Sequence, residues 1–318
     1  MIGSGRSEAA EMAAPATAGA RSVGPLYWAG LWAIDLVSVG WFAIRALFRL
    51  RACSDIRILV YHDIADLTPK EDPLRVSVPV ALFEQQMRFL SEEGYRFLSV
   101  EEAARLLSSA DIPDRAVVVT FDDGYESVLR AAVPILNRYA VLVTLFVAVG
   151  RLGEARFPWS PAGSRFSRPL RWDELAELAG SCAMEIGSHT VTHRPLHTLS
   201  PAEQATEVEA SRRVLEERLG RPVQVFAYPF GGWNTFPAHL RDLLRRHGYT
   251  AACTNVMGAN VAGANTMALR RVRIGWNDSL WRFRLKLAGA YDWSDRARRV
   301  LASLRSGNHE KVESLENT

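Results

Sequence analysis

The 318-residue sequence predicts an α/β fold of parallel strands joined by helical crossovers, either a barrel or a doubly wound sheet. Three observations predict it. Short strand-type runs alternate with amphipathic helical patterns about six times from residue 55 onward. Two of those runs, AVVVTF (116–121) and VLVTLFVAV (141–149), are almost wholly apolar, the pattern of buried strands. Polar residues able to do chemistry gather where strand runs stop, in YHD (61–63), TFDDG (120–124), SHTVTH (188–193) and FAYPFGGWN (226–234). Parallel α/β folds build their sites at such ends.

Taken in order, IRILVYH (56–62) is a β-branched strand run. The stretch 80–94 has helical spacing, with Phe83, Met87 and Leu90 on one face and Gly94 as its stop. A helix over 99–109 opens with Ser99 as N-cap and an acidic first turn. Strand 116–121 leads to a helix over 126–140, then strand 141–149 and a helix over 171–180. Strand 183–189 follows, then a capped amphipathic helix over 200–220, strand 223–229 and a helix over 236–248 ended by Gly248. The sequence from 281 is basic and aromatic, a second membrane-surface helix or a solvated helix packed on the body of the fold, and fraying is expected beyond Ser306.

The chain is 48% hydrophobic and 23% charged, enough for a sizeable core. A net charge of +3 is too small to argue for nucleic acid, and the basic residues crowd toward both ends, where a membrane surface is the better partner. Cys53, Cys182 and Cys253 are odd in number and far apart, which reads as reduced thiols rather than a disulfide framework or a zinc knuckle. Residues 1–24 have a disordered composition. The next segment, 25–52, is a membrane-associated or spanning apolar helix. Residues Leu26 to Ile44 are apolar except for Asp35 and Ser38, close to the ~20 residues of a span. Asp35 falls mid-run, where a carboxylate costs about 2.5–3.5 kcal/mol. Asp35, Ser38, Arg45 and Arg49 share one stripe of a helical wheel, so an interfacial helix is the rival reading. The late start and the trailing arginines do not suit a cleaved signal peptide.

Asp122 and Asp123 end a buried strand. One carboxylate can bind a divalent cation while its neighbour stays free as a base; solvated loop carboxylates or an N-cap are the plain alternative. His189 and His193 have a recurrent i, i+4 metal-ligand spacing, which on a helical turn puts both imidazoles on one side. His197 lies beyond Pro195 and reads as structural. His62, at a strand end, could serve as a general acid. Trp159, Trp233 and Trp276 offer faces for sugar stacking or ordinary packing. Among Arg270, Arg271 and Arg273, one could orient the base carboxylate by a bidentate pair; a surface strand is the alternative.

Together these motifs resemble the polysaccharide deacetylase (NodB-homology, carbohydrate esterase 4-like) family over roughly residues 55 to 280. TFDDG matches the first family motif and SHTVTH the second, H-[ST]-x-x-H. The resemblance implies a distorted, incomplete (β/α) barrel and a divalent metal, usually Zn2+, on Asp123, His189 and His193, with Asp122 as base. It also implies substrate or oxyanion contacts at Tyr125, Phe230, Gly231 and Trp233. Two departures stand out. Ala227 occupies the place of the arginine that tethers the base, and the usual late catalytic histidine is missing. Both resemble a branch with FAYP[FY]G and an early YHD, in which His62 would supply the acid and Arg271 would replace the tether. The implied activity is metal-dependent removal of N-acetyl groups from amino sugars of a surface polysaccharide or its lipid-linked precursor, by a membrane-associated enzyme. The alternatives are an O-acetyl esterase or other amide hydrolase, and a catalytically silent glycan-binding barrel.

Overall fold

The structure, a computed structural model, describes residues 34–40, 54–160, 165–181 and 183–294. The expected disordered N-terminus, most of the apolar segment 25–52, Cys53, Cys182 and the tail beyond Ser294 lie outside the described residues.

The core is a curled, mostly parallel sheet. Its strands are β1 (Asp55–Tyr61), β4 (Arg96–Leu98), β5 (Ala116–Phe121), β6 (Val143–Val147), β7 (Met184–Ser188), β8 (Val225–Ala227), β9 (Ala251–Cys253), β10 (Asn260–Val261) and β11 (Val272–Arg273). The path runs β10-β1-β5-β6-β7-β8-β9, with β11 also on β1 and β4 also on β5. Only β10 joins antiparallel. Between the β9 end and β11 the ring is bridged by an isolated Cys253–Leu269 pair rather than a ladder, so the barrel is incomplete. A separate pair, β2 (Asp63–Ile64) with β3 (Ser77–Val78), follows β1. The short strands β4, β9, β10 and β11 were not legible as separate runs.

Strand parity divides the interior. On β5, Val117, Val119 and Phe121 join the layer that includes Phe83, Met87 and Leu90 of α1 (Val80–Glu92). Val118 faces the other way, into a cluster with Ile56, Ile58, Phe146, Val225 and Leu269. That second cluster is closed by Val100, Ala103, Leu106 and Leu107 of α2 (Val100–Ser109). The N–H of Val100 donates to Thr144 Oγ1 at 3.2 Å and Glu185 Oε2 at 2.9 Å, near the starts of β6 and β7, so α2 plugs the barrel at the end opposite the site. Ser99 caps α2 by accepting from the Glu102 N–H, as its sequence position predicts. Each large apolar side chain on this plug contributes about 1.5–3 kcal/mol by leaving water.

The expected helix over 126–140 is not uniform. Val128–Ala132 is π-helical and passes into α3 (Val133–Arg138), where Pro134 occupies a first-turn position that needs no N–H donor. The remaining helices are α4 (Trp172–Ala179), α5 (Pro201–Leu219), α6 (Ala238–Arg246) and α7 (Leu280–Leu287). A reciprocal Ser200–Glu203 box opens α5, and Gly220 ends it at φ 65°. The start of the basic aromatic tail packs on the barrel, since Phe283 and Leu287 of α7 are buried against the core layer. Cys253 is a buried free thiol, pushed up to about 12 by that burial.

Candidate active site

At the C-terminal end of β5 the Asp122 N–H still pairs with the Tyr61 carbonyl at 3.0 Å, which fixes the carboxylate at the mouth of the barrel. The arginine that faces it comes from far along the chain. Arg271 donates from Nη1 to Asp122 Oδ1 at 2.7 Å and from Nη2 to Oδ2 at 2.6 Å. Its Nε donates to the Thr254 carbonyl at 2.7 Å, Nη2 also reaches Asn255 Oδ1 at 2.8 Å, and Nη1 lies 3.3 Å from Thr120 Oγ1. Arg271 is 0% exposed and Asp122 1%. The surface-strand alternative therefore fails for Arg271, because its guanidinium is wholly inside. Burial alone would push the Asp122 carboxyl up; Arg271, followed by His189, reverses this and holds it below its ordinary value.

Asp123 does not continue the strand. Its φ is 72°, followed by Gly124 at 89°, so the two carboxylates are separated by a left-handed turn rather than by the alternation of an extended chain. The turn aims Asp123 at His189 and His193. Its Oδ1 lies 3.2 Å from His193 Nε2 and 3.5 Å from His189 Nε2. The histidines sit on a loop, not the helical turn their spacing suggested; Thr190 and His193 take φ of 69° and 63° to bring the rings together.

His189 Nδ1 is 2.7 Å from the Ala227 carbonyl, which can only accept, so Nδ1 carries the proton. Burial pushes His189 down to about 4, leaving the ring neutral with its Nε2 lone pair facing Asp123. Burial would raise Asp123, but His193 and then His62 and His189 hold it well below the carboxylate range. A lone pair opposite a carboxylate oxygen is repulsive unless a cation lies between them. Asp123 Oδ1 is moreover a buried atom with no aligned hydrogen bond. The three donor atoms lie within 4.8 Å of one another, and the two separations above bracket the ~3.3 Å expected between ligand atoms about 2.0–2.1 Å from a tetrahedral ion. One carboxylate and two imidazoles suit a first-row divalent cation, so these residues fit such a group.

Around this centre His62 follows directly on β1, half-buried, and a charge on its imidazole would bear on both Asp122 and Asp123. His193 lies between the rings of Trp159, 4.3 Å away, and Phe230, 5.2 Å away and 59% exposed. Phe230 has φ 64°; Gly231, at φ 49°, has no room for a side chain, because a Cβ would come within 2.6 Å of the Asn255 nitrogen. Tyr125 is fully buried behind Trp159, whose Nε1 donates to its hydroxyl at 3.4 Å. Trp233 is half-buried, with the Arg270 guanidinium 5.1 Å from its ring, and Trp276 similarly meets Arg75 at 5.6 Å. His197 is exposed in the middle of the short turn Leu196–Thr198, away from these contacts.

Sequence reasoning missed Glu207. This α5 residue is 3% exposed, and its Oε2 accepts from the Val191 and Thr192 N–H groups at 2.8 and 2.9 Å, while Oε1 accepts from the Thr192 hydroxyl. The carboxylate thus ties down the loop between the two histidines. Its signal was a charge on the inward stripe that also carries Gln204, Val208, Ser211 and Leu215.

A curled, incomplete α/β barrel with a buried Asp-His-His cluster and an arginine-held carboxylate at its mouth defines a NodB-type hydrolase scaffold. The chain belongs to the polysaccharide deacetylase family: residues 109–252 match the family described as Polysaccharide deacetylase. The Streptococcus pyogenes deacetylase PplD, solved in complex with acetate, is 30% identical, with a TM-score of 0.65 over 74% of this chain and 99% of that one. IcaB from Ammonifex degensii is 25% identical, with a TM-score of 0.61 over 75% of this chain and 97% of its own. The poly-beta-1,6-N-acetyl-D-glucosamine N-deacetylase of Staphylococcus aureus is 28% identical over 169 residues, 50% of this chain and 55% of that protein, so the match spans about half the relative's length.

Proposed function

We propose that this protein is a divalent-metal-dependent N-deacetylase acting on amino sugars of a bacterial surface polysaccharide or its lipid-linked precursor. The observation that carries the reading is the buried Oδ1 of Asp123, without an aligned hydrogen bond and facing two imidazole nitrogens, beside a second carboxylate gripped by Arg271. The substrate class is supported by the likeness to the poly-N-acetylglucosamine deacetylase.

Asp123, His189 and His193 would hold the ion, with Zn2+ the first choice. Such an ion supplies Lewis-acid polarisation of the amide oxygen and lowers the pKa of water from ~16 toward ~7. The chain's own groups do the rest. Asp122, ionised and fixed in direction by the Arg271 fork, accepts the proton of the attacking water. The backbone N–H near Phe230 stabilises the charge that develops on the carbonyl oxygen. His62 delivers a proton to the departing nitrogen, because an unprotonated amine anion is a very poor leaving group. Water and the amide become acetate and a free amino sugar. Trp159, Phe230 and Trp233 offer faces for the sugar rings.

The missing arginine at position 227 and the absent late histidine are the two departures that favour a silent barrel. Arg271 reaches the Asp122 carboxylate with both arms, so the first of these loses its basis. The test is acetate release from N-acetylated glucosamine oligomers by the metal-loaded full-length protein, with O-acetylated glycans in parallel. Release from the N-acetyl series, abolished by chelation and by Asp122→Asn, supports the proposal. Release from O-acetyl esters alone, or from neither, refutes it.

A further inference from the structure

Residues 34–40 are helical and reverse the usual division of faces. Asp35 and Ser38 are buried, at 9% and 0% exposure, while Leu36, Val37 and Val39 are 70%, 54% and 38% exposed. The cause is a set of contacts to α7 and the turn after it. Arg282 donates from Nε to Asp35 Oδ1 at 3.1 Å and from Nη2 to Oδ2, forming a two-armed pair. The Tyr291 hydroxyl donates to the same Oδ1, and Trp293 Nε1 donates to Ser38 Oγ at 3.2 Å. Within residues 34–40 the two polar side chains are thus consumed by the folded domain, and the apolar Leu36, Val37 and Val39 face outward.

This arrangement decides between spanning a membrane and lying on it. Asp35 is nine residues from either end of the apolar run Leu26–Ile44, so in a spanning helix it would sit near the bilayer midplane, roughly 14 Å from each edge. Arg282 would have to sit there too, and with it a barrel flank whose loops and charges belong in water. The described contact therefore requires a helix that lies along the surface. The sequence on both sides suits an interface: Tyr27, Trp28, Trp32, Trp41 and Phe42 are aromatics of the headgroup level. Arg45, Arg49 and Arg51 follow with no acidic residue between Asp35 and Asp55.

We propose that this helix is a monotopic foot: Asp35, Arg282 and Tyr291 clasp it to the barrel, and Leu36, Val37 and Val39 enter one leaflet of an anionic phospholipid bilayer. The barrel and the N-terminal tail then share one side of the membrane. The inference does not depend on the reaction proposed above.

The experiment uses the full-length chain with phosphatidylcholine–phosphatidylglycerol vesicles at 3:1 molar composition. Leu36→Ser, Val37→Ser and Val39→Ser together should weaken cosedimentation at least tenfold while the melting temperature is unchanged. Asp35→Arg should lower the melting temperature, and Arg282→Asp in the same chain should restore it. In sealed vesicles from producing cells, N- and C-terminal tags should be lost to external protease together or protected together. Vesicle binding unchanged by the triple substitution, no mutual rescue of the reversed pair, or tags protected in complementary vesicle populations would each overturn the proposal.

Discussion

Replacing Arg271 with methionine tests the centre of the site most directly. The substitution leaves the Asp122 carboxylate 1% exposed and removes both of its arginine bonds, along with those to Thr254 and Asn255. Breaking a buried pair by deleting one partner costs about 3–5 kcal/mol. At a urea dependence of about 3 kcal/mol per molar, the unfolding midpoint should fall by about 1–1.7 M. The pH direction also follows. Asp122 is held below its ordinary value in the folded state, so its contribution is present above the unfolded pKa of about 3.9 and lost as pH falls through the folded one. Without Arg271 the burial effect dominates and the folded value rises, so the stranded charge destabilises most near neutral pH and the loss should shrink as pH falls through the raised folded value. Adding Asp122→Asn removes the stranded charge and should recover part of the loss, giving a coupling energy above ~1 kcal/mol. The assay is urea unfolding of the metal-free protein across pH 3–7 for both single variants and the double variant. Additive losses, or a single variant within ~0.5 kcal/mol of wild type, would show that the pair in the structure does not carry the energy assigned to it.

Asp123→Ala and His189→Ala should each lower bound metal from about one ion per chain to near zero, measured by elemental analysis after dialysis. Glu207→Gln keeps the shape of the loop clasp but removes its charge; metal affinity should fall about 10–100-fold by competition titration, with a smaller change in thermal midpoint. Gly231→Ala places a Cβ 2.6 Å from the Asn255 nitrogen at φ 49°, and should cost about 1–3 kcal/mol in chemical denaturation, with acetate release falling alongside. Arg271→Lys keeps the charge but loses the fork, so kcat should fall at least tenfold while metal content is unchanged.

The parts of this molecule written in local pattern were legible. The buried runs at 116–121 and 143–147, the Ser99 and Ser200 caps and the capped helix over 200–220 follow from periodicity and cap chemistry within a few residues. The short strands β4, β9, β10 and β11 were not, because two or three residues hold no period; only their ladders to β1, β5 and β8 define them. Among the site residues, the clustering of DD with HxxxH was legible as chemistry, but its geometry was not. An extended strand end and a helical turn were the local expectations, and both yield to left-handed residues that sequence patterns do not mark when the residue is not glycine. Glu207 was hidden for a related reason: its place on the inward stripe of 200–220 marks it as facing the body of the fold, but no local pattern says which loop it meets.

That left-handed geometry has a cost that the surrounding structure must offset. Asp123, Thr190, His193 and Phe230 all take positive φ, and for the β-branched Thr190 this is a genuine outlier. Such residues cost of order 1–3 kcal/mol each and persist only where other contacts determine them. The contacts are present around each. The Gly124 carbonyl accepts from the Leu170 N–H at 2.9 Å beside Asp123. Glu207 holds the two N–H groups between Thr190 and His193, and the Thr190 hydroxyl accepts from the His193 N–H at 3.0 Å. Next to Phe230, Gly231 and Asn255 are joined by a backbone bond of 2.8 Å, and Asn255 in turn accepts from Arg271. The Asn255 side chain also donates from Nδ2 to the Phe230 carbonyl at 3.2 Å, so the strained Phe230 turn and the grip on Asp122 are linked through Asn255. Asn255→Ala should loosen both, lowering acetate release and urea midpoint together while bound metal is unchanged; a change in one without the other would show that the two are independent.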